Sequence, residues 1–314
     1  MPLIVLVGPT ASGKSSLALA LAERAGGEIV AADSMQVYRG LDIGTAKPTA
    51  EERGRVPHHL LDLREPFQPF TAIDYARLAS AAIADIRARG RLPIVVGGTG
   101  LYIRSLFRGL FDGPGEIIPL RETLYREAER VGSATLHRRL EAVDPETAAA
   151  IHPNDLLRIV RALEVAAVSG RPISTLRAEG RRNHEPVPGP VLRLGLEWNR
   201  QELYQRIEAR VEAMMAQGLL REVKNLLDQG YCETLRPLRA IGYRHMIGYL
   251  NGQFRLDEAV ASLKRDTRRY AKRQLTWFHH EDEIEWLPVA GSGASEQILR
   301  ALVERIEVAW SRTV

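Results

Sequence analysis

The sequence predicts an α/β fold: a parallel-sheet core of the phosphate-loop (P-loop) NTPase kind, interrupted by an inserted all-helical domain. Three observations predict it. Residues Gly8-Pro9-Thr10-Ala11-Ser12-Gly13-Lys14-Ser15 follow the pattern G-x-x-x-x-G-K-[ST] between an apolar run and a helix-favouring stretch. Short apolar runs alternate with helical stretches through the first hundred residues, as buried parallel strands covered by helices do. A strand-like run returns at 191–196, after residues 116–180, which contain none.

The elements follow in order. Leu3-Ile4-Val5-Leu6-Val7 is the first strand, and the helix over 14–25 begins at the loop's lysine. Loop amides and helix dipole then face a polyphosphate. Lys14 adds a positive charge near the outer phosphates, and the Ser15 hydroxyl can ligate Mg²⁺. A second strand, 28–32, ends at Asp33-Ser34 and is expected beside the loop strand. Ligands of open α/β sheets gather at this carboxyl edge. Asp33 there holds a Mg²⁺ shell, acts as general base or orienter for an acceptor nucleophile, or caps the following turn. A helix over 72–90 leads to a third strand, 92–96, ending at Gly97-Gly98-Thr99-Gly100. The Thr99 hydroxyl can meet a substrate or cap a helix over 100–108. Asp42-Ile43-Gly44-Thr45-Ala46-Lys47-Pro48, taken alone, is a polar turn.

Near Gly113-Pro114-Gly115 the character changes. The boundaries are set at 1–113 for the first part of the core, 114–190 for the helical insertion and 191–314 for the second part of the core. Helices are predicted over 119–131, 133–142, 145–150 and 155–169, the last capped by Asn154 or Asp155. Residues 181–190 form a Pro-rich exit loop, and from Arg200 onward the chain is mostly helical.

Composition narrows the function. The 314 residues are 45% hydrophobic, and no apolar run approaches the roughly 18 residues of a membrane span. The first strand starts at Leu3, so no targeting segment is expected. Cys232 is the only cysteine, which excludes an internal disulfide and a Cys-rich zinc site. A cytoplasmic monomer without a membrane partner is expected. The net charge of +4 is unevenly placed: 236–273 carries ten Lys/Arg against Asp257, Glu258 and Asp266. Such a patch suits a polyanion or a solvated helix face equally. Arg206 and Arg210 share a helix face at i, i+4, which fits a diphosphate or pairing with Glu202, Glu208 or Glu212. Basic and aromatic residues interleave at 239–245 and 268–278, a mixture suited to phosphate binding and base stacking.

Together these segments resemble the tRNA dimethylallyltransferase (tRNA isopentenyltransferase) family of bacterial type, nearly end to end. The resemblance rests on the loop 8–15, Asp33-Ser34-Met35-Gln36-Val37-Tyr38, the 42–48 segment and Gly97-Gly98-Thr99-Gly100-Leu101-Tyr102. It continues through His152-Pro153-Asn154-Asp155, 158–164, Ile241-Gly242-Tyr243-Arg244 and Tyr270-Ala271-Lys272-Arg273-Gln274. It implies transfer of a dimethylallyl group from dimethylallyl diphosphate to the N6 amine of tRNA adenosine 37, in tRNAs reading codons that begin with U. The loop would hold a prenyl diphosphate with Mg²⁺. Lys14, Ser15 and Arg206 or Arg210 would neutralise the leaving diphosphate, Asp33 would take the amine proton, and Thr99 would position amine or diphosphate. The anticodon stem-loop would meet Asp33, Ser34, Met35, Gln36, Thr99, Arg121, Arg158, Arg161, Arg239, Gly242, Tyr243, Arg244, Lys272 and Arg273. Two departures stand out: Leu157 replaces the family's usual Gln, and His279-His280-Glu281-Asp282 replaces further basic residues. The alternatives are a small-molecule kinase, with Asp33 activating a hydroxyl, and an RNA-binding NTPase switch.

Overall fold

The computed structural model describes residues 1–111, 113–281, 283–289 and 294–311. Among them six parallel strands form one sheet: β1 (Leu3–Val7), β2 (Gly27–Ala32), β3 (His58–His59), β4 (Leu92–Gly97), β5 (Val191–Trp198) and β6 (Glu285–Val289), in the order β3-β2-β4-β1-β5-β6. Ile4 and Ile29 both pair with Ile94. The strand that ends at Asp33 is therefore not beside the loop strand, contrary to the sequence expectation, because β4 lies between them. β1, β2 and β4 are buried along their whole length. Equal burial leaves no local signal for lateral order. The two edge strands also escaped the sequence reading: β3 is two residues long, and β6 is a half-exposed strand carrying Pro288, which edges tolerate.

Helices cover both faces. α1 (Lys14–Ala25) and α14 (Ala294–Ser311) share a buried cluster with Ile4, Leu6, Ile94 and Leu196. Each large side chain buried there contributes about 1.5–3 kcal/mol. α3 (Ala72–Ala88) packs on β2 and β4 through residues outside that cluster, burying Tyr75, Ala79, Ile83 and Ile86, and so covers the other face. Its start is fixed by a capping box between Thr71 and Asp74. Between them lie α2 (Ala50–Arg55) and, after β4, α4 (Gly100–Arg108).

The chain divides into two compact units, Met1–Leu106 with Val187–Val314, and Phe107–Pro186. The sequence transitions at 113 and 190 fall a few residues later. The second unit holds α5 (Ile118–Val131), α6 (Ser133–Val143), α7 (Pro145–Ala149), α8 (Leu156–Ser169) and α9 (Ile173–Arg182) around Leu124, Leu136, Leu140, Ile159 and Leu163. Asp155, rather than Asn154, caps α8. The sequence reading missed α9 because of its ten residues only Ile173 is buried, leaving no periodic apolar stripe. After β5, the first unit continues with α10 (Arg200–Gln217), α11 (Leu219–Asp228), a 3₁₀ turn at Arg236–Arg239, α12 (Tyr243–Leu250) and α13 (Leu256–His279).

Candidate active site

The phosphate loop joins β1 to α1. Ala11 (φ 64°) and Gly13 (φ 86°) both lie in the left-handed region, a backbone that gathers successive amides into an anion-binding concavity. Such a conformation is strained for alanine, and it is braced from several elements. Arg206 Nε donates to Ala11 O at 2.9 Å, and Trp198 Nε1 donates to Ser12 O at 2.9 Å. The Arg206 guanidinium stacks 4.3 Å from the Trp198 ring centre. Lys14 Nζ donates to Pro9 O at 3.1 Å, and Gln274 Oε1 accepts from Thr10 N at 2.8 Å. The amides of Gly13, Lys14 and Ser15 donate to nothing among the described residues. The carbonyls of Pro9, Ala11 and Ser12 are thus held by the protein while the amides of Gly13, Lys14 and Ser15 stay open. Burial first, and then Arg210, pushes the Lys14 ammonium down to about 8, with Asp33 opposing. Burial also lowers Arg210, again with Asp33 opposing.

Asp33 stands at the end of β2. Its Oδ1 accepts from Met35 N at 2.8 Å, closing a tight turn, while Oδ2 has no partner among the described residues. Thr99 O begins α4 by accepting from Tyr102 N at 2.9 Å. Its hydroxyl instead accepts from Ser34 N at 3.1 Å, tying the end of β4 to the end of β2. A cavity of about 320 Å³ opens from this corner. Thr10, Asp33, Ser34, Met35 and Arg210 line it on the loop side, and Ile207, Val211, Met214 and Leu263 form an apolar wall. Arg239, Gly242, Tyr243, Arg244, Tyr270 and Arg273 line it from the basic segment.

The 42–48 segment is a built support. Glu222, on α11, accepts from the amides of Asp42, Ile43 and Gly44 at 3.2, 2.6 and 3.1 Å, and from the Tyr243 hydroxyl at 2.6 Å. The fully buried ammonium of Lys47 donates to Tyr38 O, Asp42 Oδ1 and Asp62 Oδ1 at 2.6–2.7 Å. Gln36 donates to Thr45 O and Ala46 O, so its side chain serves the same loop.

The cations of 236–273 sort into two sets. Arg244 binds Asp266 at 2.6 Å, Lys264 binds Glu212, and Arg268 binds Glu208. Glu208 and Glu212 are thereby engaged with α13 rather than with Arg206 or Arg210. Arg255, Arg265 and Arg269 also stand near acids. Arg236, Arg239, Lys272 and Arg273 have no ion-pair partner among the described residues, and all four are exposed. In the helical unit Arg121 forks onto Glu164 at 2.9 Å and reaches Glu116 at 2.8 Å, and Arg161 joins the same Glu164 at 2.7 Å. Glu164 is wholly buried, so these two arginines hold the unit together. Arg158 and Leu157 are exposed. His279 stacks on Trp286, and Asp282 lies outside the described residues.

The sequence reading gave no role to Gln274, Trp198 or Glu222. Apart from Tyr243, 21 residues from Glu222, their hydrogen-bond partners lie 176 to 264 residues away, beyond the reach of any local pattern.

A phosphate-loop motif that contributes Thr10 to a cavity lined with cations and one acid, in a six-stranded parallel core, defines a P-loop α/β protein. The chain belongs to the IPP transferase family, whose profile matches residues 36–281. It is 56% identical over 292 residues to tRNA dimethylallyltransferase 1 of Citrifermentans bemidjiense and 55% identical over 293 residues to tRNA dimethylallyltransferase 2 of Geotalea uraniireducens, covering 93% of this chain and 94% of each relative. The structure of the full-length tRNA isopentenylpyrophosphate transferase from Bacillus halodurans is similar over 99% of both chains, with a TM-score of 0.70 and 40% identity. A eukaryotic dimethylallyltransferase studied acting on tRNA is similar over 91% of this chain and 73% of its own, with a TM-score of 0.72 and 29% identity.

Proposed function

We propose that this protein transfers a dimethylallyl group from dimethylallyl diphosphate to the N6 amine of adenosine 37 in tRNAs reading codons that begin with U, releasing diphosphate. The observation that carries the reading is the cavity lined together by Thr10 of the phosphate loop, Asp33 and the cations Arg210, Arg239 and Arg273. The open amides of Gly13, Lys14 and Ser15, with Lys14 and Arg210, receive the diphosphate; Arg206 holds the loop in shape. Stabilising that leaving group matters because positive charge develops on the allylic carbon as the bond to oxygen breaks. The adenine leaves its stack to enter the cavity. Its amine attacks the allylic carbon, and Asp33 Oδ2 accepts the amine hydrogen bond and takes the proton. The apolar wall of Ile207, Val211, Met214 and Leu263 excludes water from the reacting carbon.

A magnesium ion suits the loop. Ser15 presents an exposed hydroxyl without a hydrogen-bond partner among the described residues, a hard oxygen donor. The described residues hold no group of three His, Cys, Asp or Glu that could cage an ion. An ion held by Ser15, diphosphate oxygens and water is the usual arrangement for Mg²⁺ at phosphates. Bound there, it would supply further neutralisation of the leaving diphosphate.

The exposed cations Arg236, Arg239, Lys272 and Arg273 meet the phosphates of the anticodon stem-loop. No described helix is long and apolar enough to cross a membrane, and we place the protein in the cytoplasm as a monomer. The test is direct: incubate protein, Mg²⁺ and undermodified tRNA with dimethylallyl diphosphate or with ATP, digest the RNA and weigh its nucleosides. N6-dimethylallyladenosine formed with the prenyl donor alone is the expected product. ATP consumption without prenylated nucleoside overturns the reading in favour of a kinase or an NTPase switch.

A further inference from the structure

Gln274 sits on α13, one residue after Arg273 and four after Tyr270, both of which line the cavity. Its own side chain is almost fully buried and is not among the residues that line the cavity. It makes two hydrogen bonds of opposite sense. Oε1 accepts from the amide of Thr10 in the phosphate loop at 2.8 Å, and Nε2 donates to Gly98 O at the end of β4 at 2.9 Å. The fit at Gly98 is close: a Cβ there would stand 2.1 Å from Gln274 Nε2, so only glycine admits the strut.

The two partners belong to the two halves of the reaction. Thr10 is part of the donor cradle. Gly98 precedes Thr99, whose hydroxyl holds Ser34 N beside Asp33. β1 and β4 are neighbours, but their loops leave the sheet separately, and the ladder fixes only the strands. A primary amide offers an acceptor oxygen and a donor nitrogen on one planar carbon, without charge. It therefore satisfies an N–H and a C=O that face each other across the gap.

We propose that Gln274 is a positioning residue that sets the distance between the donor cradle and the acceptor corner. It touches neither substrate. The diphosphate takes the amides of Gly13, Lys14 and Ser15, which Gln274 leaves alone, and the acceptor RNA takes the exposed cations. Losing the strut should therefore slow the reaction of bound substrates more than it weakens their binding. A misplacement of about 1 Å between reacting atoms costs on the order of 100-fold.

The proposal rests on the transfer reaction proposed above, and the experiment separates the two. Wild-type protein must first form prenylated nucleoside; if it does not, the transfer reading fails, and the strut, which rests on it, is overturned as well. With an active wild type, Gln274→Met removes both hydrogen bonds at nearly constant volume. Gln274→Glu keeps the acceptor for Thr10 N but sets an oxygen against Gly98 O. Single-turnover rates at saturating donor and tRNA are measured for both, with separate titrations of dimethylallyl diphosphate and of tRNA. The expected result is a 10- to 100-fold slower saturated rate in each variant, with both dissociation constants within about threefold of wild type. A saturated rate within twofold of wild type in either folded variant overturns the proposal. So does a loss of activity that disappears at saturation, which would make Gln274 a binding residue or a plain stabiliser. If Gln274→Met does not fold, Gln274→Glu decides.

Discussion

Two short polar loops of the core, 8–15 and 42–48, each carry a lysine and a run of backbone amides, and they differ in whether the protein itself supplies those amides with an anion. In 42–48 the protein supplies it: three successive amides and the Tyr243 hydroxyl close on the Glu222 carboxylate, and Lys47 is buried against Tyr38 O, Asp42 and Asp62. In 8–15 the carbonyls are braced by Arg206, Trp198 and Lys14, while the amides of Gly13, Lys14 and Ser15 are left open. The first arrangement is a finished structural joint, and the second is the one we propose as the diphosphate receptor. The difference teaches that a loop's function is read from which of its polar groups remain unpaired. The cations follow the same rule. Arg121 and Arg161 converge on buried Glu164, whereas Arg239 and Arg273 face the cavity unpaired.

The largest expected effect falls on the acid beside the open loop. Asp33→Asn keeps the turn but cannot take a proton, and the transfer rate should fall roughly 100- to 10,000-fold, the range for a lost general base. Donor affinity should hardly change. Single-turnover rates and donor titrations at several Mg²⁺ concentrations check this. A variant that loses metal-dependent donor affinity yet reacts normally at saturation would make Asp33 a metal ligand instead.

Next in size is the lysine of the closed loop. Lys47→Met removes the cation that Asp42 and Asp62 share; breaking a buried pair costs about 3–5 kcal/mol. Because Asp42 is exposed and Asp62 keeps Arg53 at 2.7 Å, the lower end of that range is expected. Denaturant unfolding should show the loss. An unchanged midpoint would mean that the 42–48 joint does not carry the stability assigned to it.

The lysine of the open loop should behave in the opposite way. Lys14→Ala should leave the unfolding midpoint nearly unchanged and weaken donor binding by about 10- to 100-fold, equivalent to roughly 1.5–3 kcal/mol for a charge-assisted hydrogen bond. Lys14 also predicts a pH dependence. In the free protein its ammonium titrates at about 8; a bound diphosphate favours the charged form and raises that value. Binding therefore takes up a proton, is strongest below pH 8 and weakens as pH rises, by up to about tenfold per unit until the bound lysine itself titrates. Isothermal titration from pH 7 to 9.5 reads this directly. Lys14→Arg should flatten the curve; a slope that persists in that variant assigns the titration to another group.

The smallest effect concerns the paired and unpaired cations. Replacing Arg239, Lys272 and Arg273 by Gln should weaken tRNA binding and reduce the steepness of its salt dependence, by roughly 0.7–0.9 in log–log slope for each phosphate that is no longer neutralised. Replacing Arg244, Lys264 and Arg268, which are tied to Asp266, Glu212 and Glu208, should change the slope much less. Equal slopes for the two triple variants would dissolve the distinction between committed and free charge.

What the sequence by itself determined was whatever depends on near neighbours. The strand–loop–helix unit of β1, the 8–15 loop and α1 is written in one contiguous stretch, and a cap at Asn154 or Asp155 and helices over 119–131 and 155–169 follow from spacing alone, each within a residue of what the structure has. The motifs were equally legible as a family resemblance. Only the tertiary structure decided the order of the strands, because β1, β2 and β4 are all buried and no local signal ranks them. It also decided which cations are free. Arg121 and Arg158 look alike in sequence, yet only Arg121 meets a buried carboxylate, 43 residues away. Gln274 reaches Thr10 across 264 residues and Gly98 across 176. Periodicity and capping act over three or four residues. Which unpaired group meets which partner is settled only when distant segments are packed together and each buried donor has to find its acceptor.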